Sequence, residues 1–306
     1  MGGSGGGSVF GDKSPSERAS QQRTAEQKTI RESFETEASA LVASVLSQTH
    51  RDEAACQARL DQIKGALSEA IDGSIDLRFG GSVAKHTYVD GLSDVDTLLL
   101  LKIDADESDP AKVRQDIAKI LRSDLDGATI RVGDMCVTVE FEDFEIQLLP
   151  AIKHGTHHLI PDSSSRGWAK IQPEVFANQL TKINTALNGR VVPVIKLAKS
   201  IISQLPKARQ LTGYHVESLA VQIFDSYDGK RTSKAMLMYF FENAATRILT
   251  TISDPTGQSE YVDEHLAGPG SLERRLVADS LSRISRRMKN ADAGELLDEW
   301  KRILDE

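Results

Sequence analysis

Apolar residues recur at three- and four-residue steps near the start of the chain. Ile30, Phe34, Ala38, Leu41 and Val45 predict one face of a helix beginning at about Gln27. The polar break THRDE interrupts the pattern, and Leu60, Ile63, Leu67 and Ile71 mark a second helix. The period then shortens. IDLRFG is a short strand, GGSVAKHTYVDGLSD a glycine-containing connection, and VDTLLLLKI an apolar strand of the kind found at the centre of a sheet. PAKVRQDIAKILRSDL returns to a helical period, with Pro110 suited to its first turn. ATIRV, MCVTVEFE and FEIQLLPAI read as strands, the last two joined by a tight acidic turn, and KHGTHHLIPDSSSRG reads as loop. After Trp168 almost everything is helical: EVFANQLTKINTAL, VVPVIKLAKSIISQL, YHVESLAVQIFDSY, KAMLMYFFENAATRIL, SLERRLVADSLSRISRRM and ELLDEWKRIL.

This order predicts an α+β domain with a mixed sheet, followed by an all-helical domain, with room for a cleft between them. Residues 27–160 would form the first and 161–306 the second, behind a Gly/Ser-rich tail over 1–26 that is either native or an appended linker. That tail lacks the apolar core of a secretory signal, and no apolar run approaches the ~20 residues of a membrane-spanning helix. Cys56 and Cys136 give no framework for disulfides or zinc, which makes a reducing cytoplasm the expected compartment. Net charge is −8, which argues against a broad basic surface for duplex nucleic acid. A locally basic cleft for a nucleotide needs only a few lysines and remains open.

The chemistry concentrates in GGSVAKHTYVDGLSDVDTLLLL. Gly81 and Ser82 end the first strand; Asp94 and Asp96 open the next. Residues two apart on a strand share a face, so both aspartates project together at one edge of the sheet. Two adjacent carboxylates are costly unless a cation neutralises them, and Mg²⁺ or Mn²⁺ favours such hard oxygen ligands. Gly81 lets backbone approach a phosphate, and Ser82 can donate to it. Nucleotide transfer uses this arrangement to activate a hydroxyl and stabilise departing pyrophosphate. The bland alternative is that the aspartates merely cap a strand.

The segment resembles the DNA-polymerase-β superfamily pattern, Gly-Ser followed about a dozen residues later by acid–apolar–acid. The resemblance implies a third carboxylate on a neighbouring strand, shortly before Pro-Ala. FEIQLLPAI supplies that strand, but Gln147 stands at the matching position. An amide can offer its oxygen to a metal, yet it carries no charge and takes no proton. Glu145 lies about 6.6 Å away on the same face and is the candidate substitute.

GWAKIQPEVFANQLTKIN, VVPVIKLAKSII, LTGYHVESLA, ISDPTG and ELLDEWKRIL then occur in an order similar to that of the oligoadenylate synthetase-like and bacterial CD-NTase enzymes. These make cyclic or linear oligonucleotide signals in antiviral defence. The resemblance implies that Lys199 reaches the donor triphosphate, with Lys196 its neighbour one turn earlier. It implies too that Tyr214 and Glu217 open a helix beside the nucleotide, and that Lys85 and Thr87 belong to the loop after Gly-Ser. Tyr214 either stacks on a base or anchors its helix by packing, and Thr87 either assists binding or braces the loop.

Other features read more plainly. His154, His157 and His158 suit a solvated loop better than a metal cluster. In LERRLVADSLSRISRRMK, Leu272, Leu276, Leu281 and Ile284 suit a core face, and Trp168 and Trp300 suit packing anchors. The leading expectation is an enzyme using NTPs or dNTPs with a divalent cation and signalling to a downstream effector protein. The alternatives are a nucleotide-binding pseudo-enzyme, which Gln147 favours, and a terminal transferase acting on RNA or protein.

Overall fold

The computed structural model describes residues 14–48, 53–70, 76–79, 85, 87, 95–142, 145–155, 157–162, 167–256 and 260–305. Helix α1 spans Pro15–Gln48 and α2 spans Glu53–Ala70. The second half of the expected tail is therefore helical, and a capping box explains it. The Ser14 amide donates to Glu17 Oε2 at 2.7 Å, the Glu17 amide donates back to Ser14 Oγ at 3.3 Å, and Pro15 fills the first helical position.

Seven strands form one mixed sheet: β1 (Asp76–Phe79), β2 (Val95–Leu101), β3 (Thr129–Val132), β4 (Val137–Glu140), β5 (Glu145–His154), β6 (His157–Pro161) and β7 (Trp168–Ile171). The order is β1-β2-β5-β4-β3, with β6 on the far half of β5 and β7 on β6. Among the described strands, only β2 and β5 run parallel. A parallel pair needs a crossover, and α3 (Pro110–Asp124) lies within it. On one face, Leu99, Leu101, Ile146 and Leu148 pack with Leu60, Ile63 and Leu67 of α2 and Ile117 and Leu121 of α3. The alternate positions Leu98, Leu100, Leu149 and Ala151 belong to a separate, smaller cluster with Ile160 and Ile171.

Strands β6 and β7 occupy the stretch that reads as loop and the first residues expected to be helical. β5 runs to His154, and Gly155 at φ 62° makes the turn into β6. HHLIP is too short and polar to announce a strand; its pairing comes from the length of β5. Trp168 is tied to the crossover by its indole N–H, which donates to the Ser108 carbonyl at 3.0 Å.

The rest is helical: α4 (Pro173–Ala186), α5 (Val191–Ser203), α6 (Gly213–Phe224), α7 (Ser233–Arg247), α8 (Leu272–Ala293) and α9 (Leu297–Asp305). Their core includes Val194, Leu197, Leu219, Phe240, Phe241, Met288 and Trp300. Phe34, Ala38, Val42 and Val45 of α1 join this same cluster. Thus α1 packs with the C-terminal helices, across the boundary expected at residue 160. Lys234 of α7 reinforces the contact, its ammonium 2.7 Å from Glu35 and 2.6 Å from Asp292.

The inward face of α8 also differs from expectation. It runs through Arg274, Val277, Leu281, Ile284 and Met288, while Leu272 and Leu276 are 62% and 37% exposed. A buried arginine displaces the leucine that periodicity nominates, because loop carbonyls and Asp263 surround its guanidinium. Among the described residues, no helix is long and apolar enough to cross a membrane.

Candidate active site

The edge of the sheet where β2 begins sets the first part of the site. Asp96 is the Cα partner of Gln147 across the parallel β2–β5 pair, and Gln147 is the partner of Thr138 on β4. One rung thus carries Asp96, Gln147 and Thr138. Asp94, Gly81 and Ser82 lie outside the described residues. The Cys136 thiol donates weakly to Gln147 Oε1 at 3.7 Å. Glu145, the candidate substitute carboxylate, is engaged elsewhere: Arg131 reaches it at 2.9 Å and Glu140 at 3.2 Å. Its charge is already matched on the β3–β4 side of the sheet.

The second part joins the β1–β2 connection to the helical half. Glu217, 1% exposed in the second turn of α6, receives three donors. Lys199 of α5 donates to its Oε1 at 2.7 Å and to the Thr87 carbonyl at 3.0 Å. The Thr87 hydroxyl also donates to Oε1, and the Lys85 ammonium to Oε2. Burial would raise the Glu217 carboxyl, but the charges and hydrogen bonds of Lys85 and Lys199 outweigh it and hold it below the ordinary range. Gly213 makes room at the start of α6, since a Cβ there would stand 3.3 Å from Lys199 Cε and Nζ. The Thr212 side chain caps the same turn, accepting from the His215 amide at 3.2 Å.

Two aromatic rings complete this part. Lys85 Nζ lies 4.9 Å from the Phe176 centroid and 5.1 Å from that of Tyr214. The rings meet edge-on, 5.0 Å apart at 74°. The Tyr214 hydroxyl donates to Asp254 Oδ1 at 2.8 Å, an oxygen that also accepts from the Thr256 amide and hydroxyl. Burial, followed by the Asp254 contact, pushes the phenol above its usual range and keeps it a donor. Tyr214 therefore anchors α6 to the Asp254 turn and lends a ring face to Lys85.

The structure thus gathers Lys85, Thr87, Lys199 and Tyr214 around the buried carboxylate of Glu217. Lys196 sits half-buried one turn earlier on α5. Lys199, expected to reach a triphosphate, is 6% exposed and ion-paired. Phe176 escapes sequence reasoning because, with Leu180 and Ile183, it occupies the inward stripe of α4 and reads as core. The three histidines do not converge. His154 and His157 oppose each other across the β5–β6 turn with ring nitrogens 3.2 Å apart, while His158 is buried with Nδ1 3.5 Å from Glu174.

Comparison with known proteins bears on the family and the fold. Residues 29–184 match the Second Messenger Oligonucleotide or Dinucleotide Synthetase domain. No curated protein sequence matches. Among solved structures, CdnC of E. coli MS115-1 with ATP superposes with a TM-score of 0.66 at 15% identity, over 87% of this chain and 97% of that one. The Bradyrhizobium diazoefficiens CD-NTase CdnG with GTP gives 0.70 at 13%, over 87% and 94%. The apo form of Vibrio cholerae DncV gives 0.61 at 15%, over 93% and 89%. At these identities the superpositions establish a shared fold, and the domain match covers half the chain. The chain belongs to the second messenger oligonucleotide or dinucleotide synthetase family, with the polymerase-β-like fold of the CD-NTases.

Proposed function

We propose that this synthetase joins nucleoside triphosphates without a template, forming cyclic or linear oligonucleotides that act as a signal in anti-phage defence. A ribose hydroxyl oxygen would bond to an α-phosphorus, the α–β bridge would break, and pyrophosphate and a proton would leave. The observation carrying this reading is the rung that sets Asp96 beside Gln147, in a family whose members make oligonucleotides.

The donor set suits a hard divalent cation such as Mg²⁺ or Mn²⁺: two aspartates from one strand start, Asp94 and Asp96, and the amide oxygen of Gln147 from the next. Such a cation supplies hydroxyl activation and charge stabilisation when bound. Gly81 and Ser82 would cradle phosphate oxygens, while Thr87 and Glu217 hold the connection that follows them. Gln147 can coordinate but takes no proton, so the site would rely on the two aspartates for charge. ATP and GTP, present in the CdnC and CdnG structures, are the first substrates to try. A HORMA protein accompanies CdnC in another structure, and a regulatory partner and a downstream effector would fit this chain's role as a signalling enzyme. Gln147 also supports a second reading, a pseudo-enzyme that binds nucleotide and signals by conformation.

The test is to incubate the protein with radiolabelled NTPs, then dNTPs, with Mg²⁺ or Mn²⁺, beside an Asp94→Ala/Asp96→Ala control. A phosphatase-resistant product missing from the control supports a cyclase, and a ladder of lengths supports linear synthesis. Binding without any product under all conditions would replace the enzyme with the pseudo-enzyme. Label attached to a macromolecule would replace it with a terminal transferase.

A further inference from the structure

We propose that Glu217 is a resident counter-anion that parks the Lys85 ammonium in the nucleotide-free protein and releases it to the triphosphate. This rests on the nucleotide-joining reading above and assigns the two lysines of the site different work. Lys199 is the fixed strut and Lys85 the mobile arm.

Three observations carry the assignment. Two ammonium groups share one carboxylate, so withdrawing Lys85 leaves Glu217 still matched by Lys199 and the Thr87 hydroxyl. Access differs between the partners: the side chains of Glu217 and Lys199 are 1% and 5% exposed, whereas Lys85 is 11% exposed and rises from the β1–β2 connection. Lys199 is further tied to the Thr87 carbonyl, a second anchor that holds it at the α5–α6 junction. Lys85 has the carboxylate on one side and the Phe176 and Tyr214 rings on the other, a resting place that holds a cation without phosphate. A triphosphate bound as in the reading above would offer a stronger anion to the same flexible ammonium.

The exchange predicts an effect of opposite sign to a structural role. Glu217→Gln keeps an amide oxygen for Lys199 and Thr87 but removes the charge competing for Lys85. Binding of a non-hydrolysable ATP or GTP analogue should tighten by roughly tenfold, because a parked fraction no longer subtracts from affinity. Binding of AMP or GMP should not change, and Lys85→Met/Glu217→Gln should abolish the gain. Lys85→Met alone should weaken the triphosphate analogue while leaving the melting temperature at or above wild type. Folding of Glu217→Gln is checked by circular dichroism; should it fail to fold, the Lys85→Met pair of readouts decides. Equal or weaker analogue binding by folded Glu217→Gln, or a lower melting temperature for Lys85→Met, would overturn the exchange while leaving the enzyme reading intact. Failure of the wild type to bind any triphosphate would overturn both.

Discussion

Asp96 and Gln147 are register partners in the parallel β2–β5 pair, where the superfamily pattern leads one to expect an acid beside an acid. The rung therefore carries less negative charge than the pattern implies, and charge at Asp96 should matter more than the identity of residue 147. Asp96→Asn keeps the side chain's shape and should lower the rate of pyrophosphate release by at least about a hundred-fold, since metal-assisted charge stabilisation contributes several kcal/mol. Gln147→Ala should cost about tenfold, and Gln147→Asp should raise the rate at limiting Mg²⁺. Equal losses from Asp96→Asn and Gln147→Ala would refute this ranking.

Removal of the strut should be felt in stability. Lys199→Met takes one of two ammonium groups and its Thr87 tether from a carboxylate that stays buried, and should cost about 2–3 kcal/mol, less than the full loss of a buried pair because Lys85 remains. Glu145→Gln, at a partly exposed pair with Arg131, should cost no more than about 1 kcal/mol. Urea unfolding of the two variants measures the contrast.

His215 makes stability depend on pH. It is fully buried, and neither ring nitrogen has a hydrogen-bond partner among the described residues. Burial, with the nearby charges of His265, Arg274 and Arg247 and against the pull of Asp263, lowers it to about 3. An unfolded histidine gains its proton near 6.5, while the folded one stays neutral until far lower pH. Stability is thus full above about pH 6.5 and declines as pH falls below it, by up to about 1.4 kcal/mol per unit. The depressed Glu217 and Asp263 act only below their ordinary values of 4.5 and 3.8, outside the upper part of this window. His215→Phe should flatten the urea midpoint between pH 7 and about 5; an unchanged slope would assign it to other groups.

Arg274 organises the loop between α7 and α8. Its guanidinium donates to the carbonyls of Ile248, Thr250 and Ala267 at 2.9, 3.0 and 3.1 Å and to Asp263 at 2.7 Å. Arg274→Lys cannot reproduce the planar fork and should destabilise the protein by several kcal/mol, roughly as Arg274→Met does. A Lys variant as stable as wild type would show that charge alone suffices.

Legibility in the sequence followed the range of the physics. The long amphipathic helices and the apolar strands β2 and β5 are local patterns, and Pro110 marks the start of α3. Strands β6 and β7 are not local, since a five-residue HHLIP becomes a strand only because β5 extends beside it. The capping box at Ser14 and Glu17 was legible in principle but masked by the glycine-rich run before it. In the site, the family resemblance pointed to Lys85, Lys199, Tyr214 and Glu217, but not to their pairing. Burial decides that Lys199 braces and that Phe176 meets an ammonium, and burial at those positions is a property of the assembled helices.

The path of α1 bears on how the protein can be cut. Residues 29–184 contain the whole matched domain, yet Phe34, Ala38, Val42 and Val45 find their partners in helices beyond residue 184. A fragment ending there would carry a bare apolar stripe along its first helix, prone to self-association. The two halves are laced by their ends, and neither is a module that can be lent to another protein unaltered.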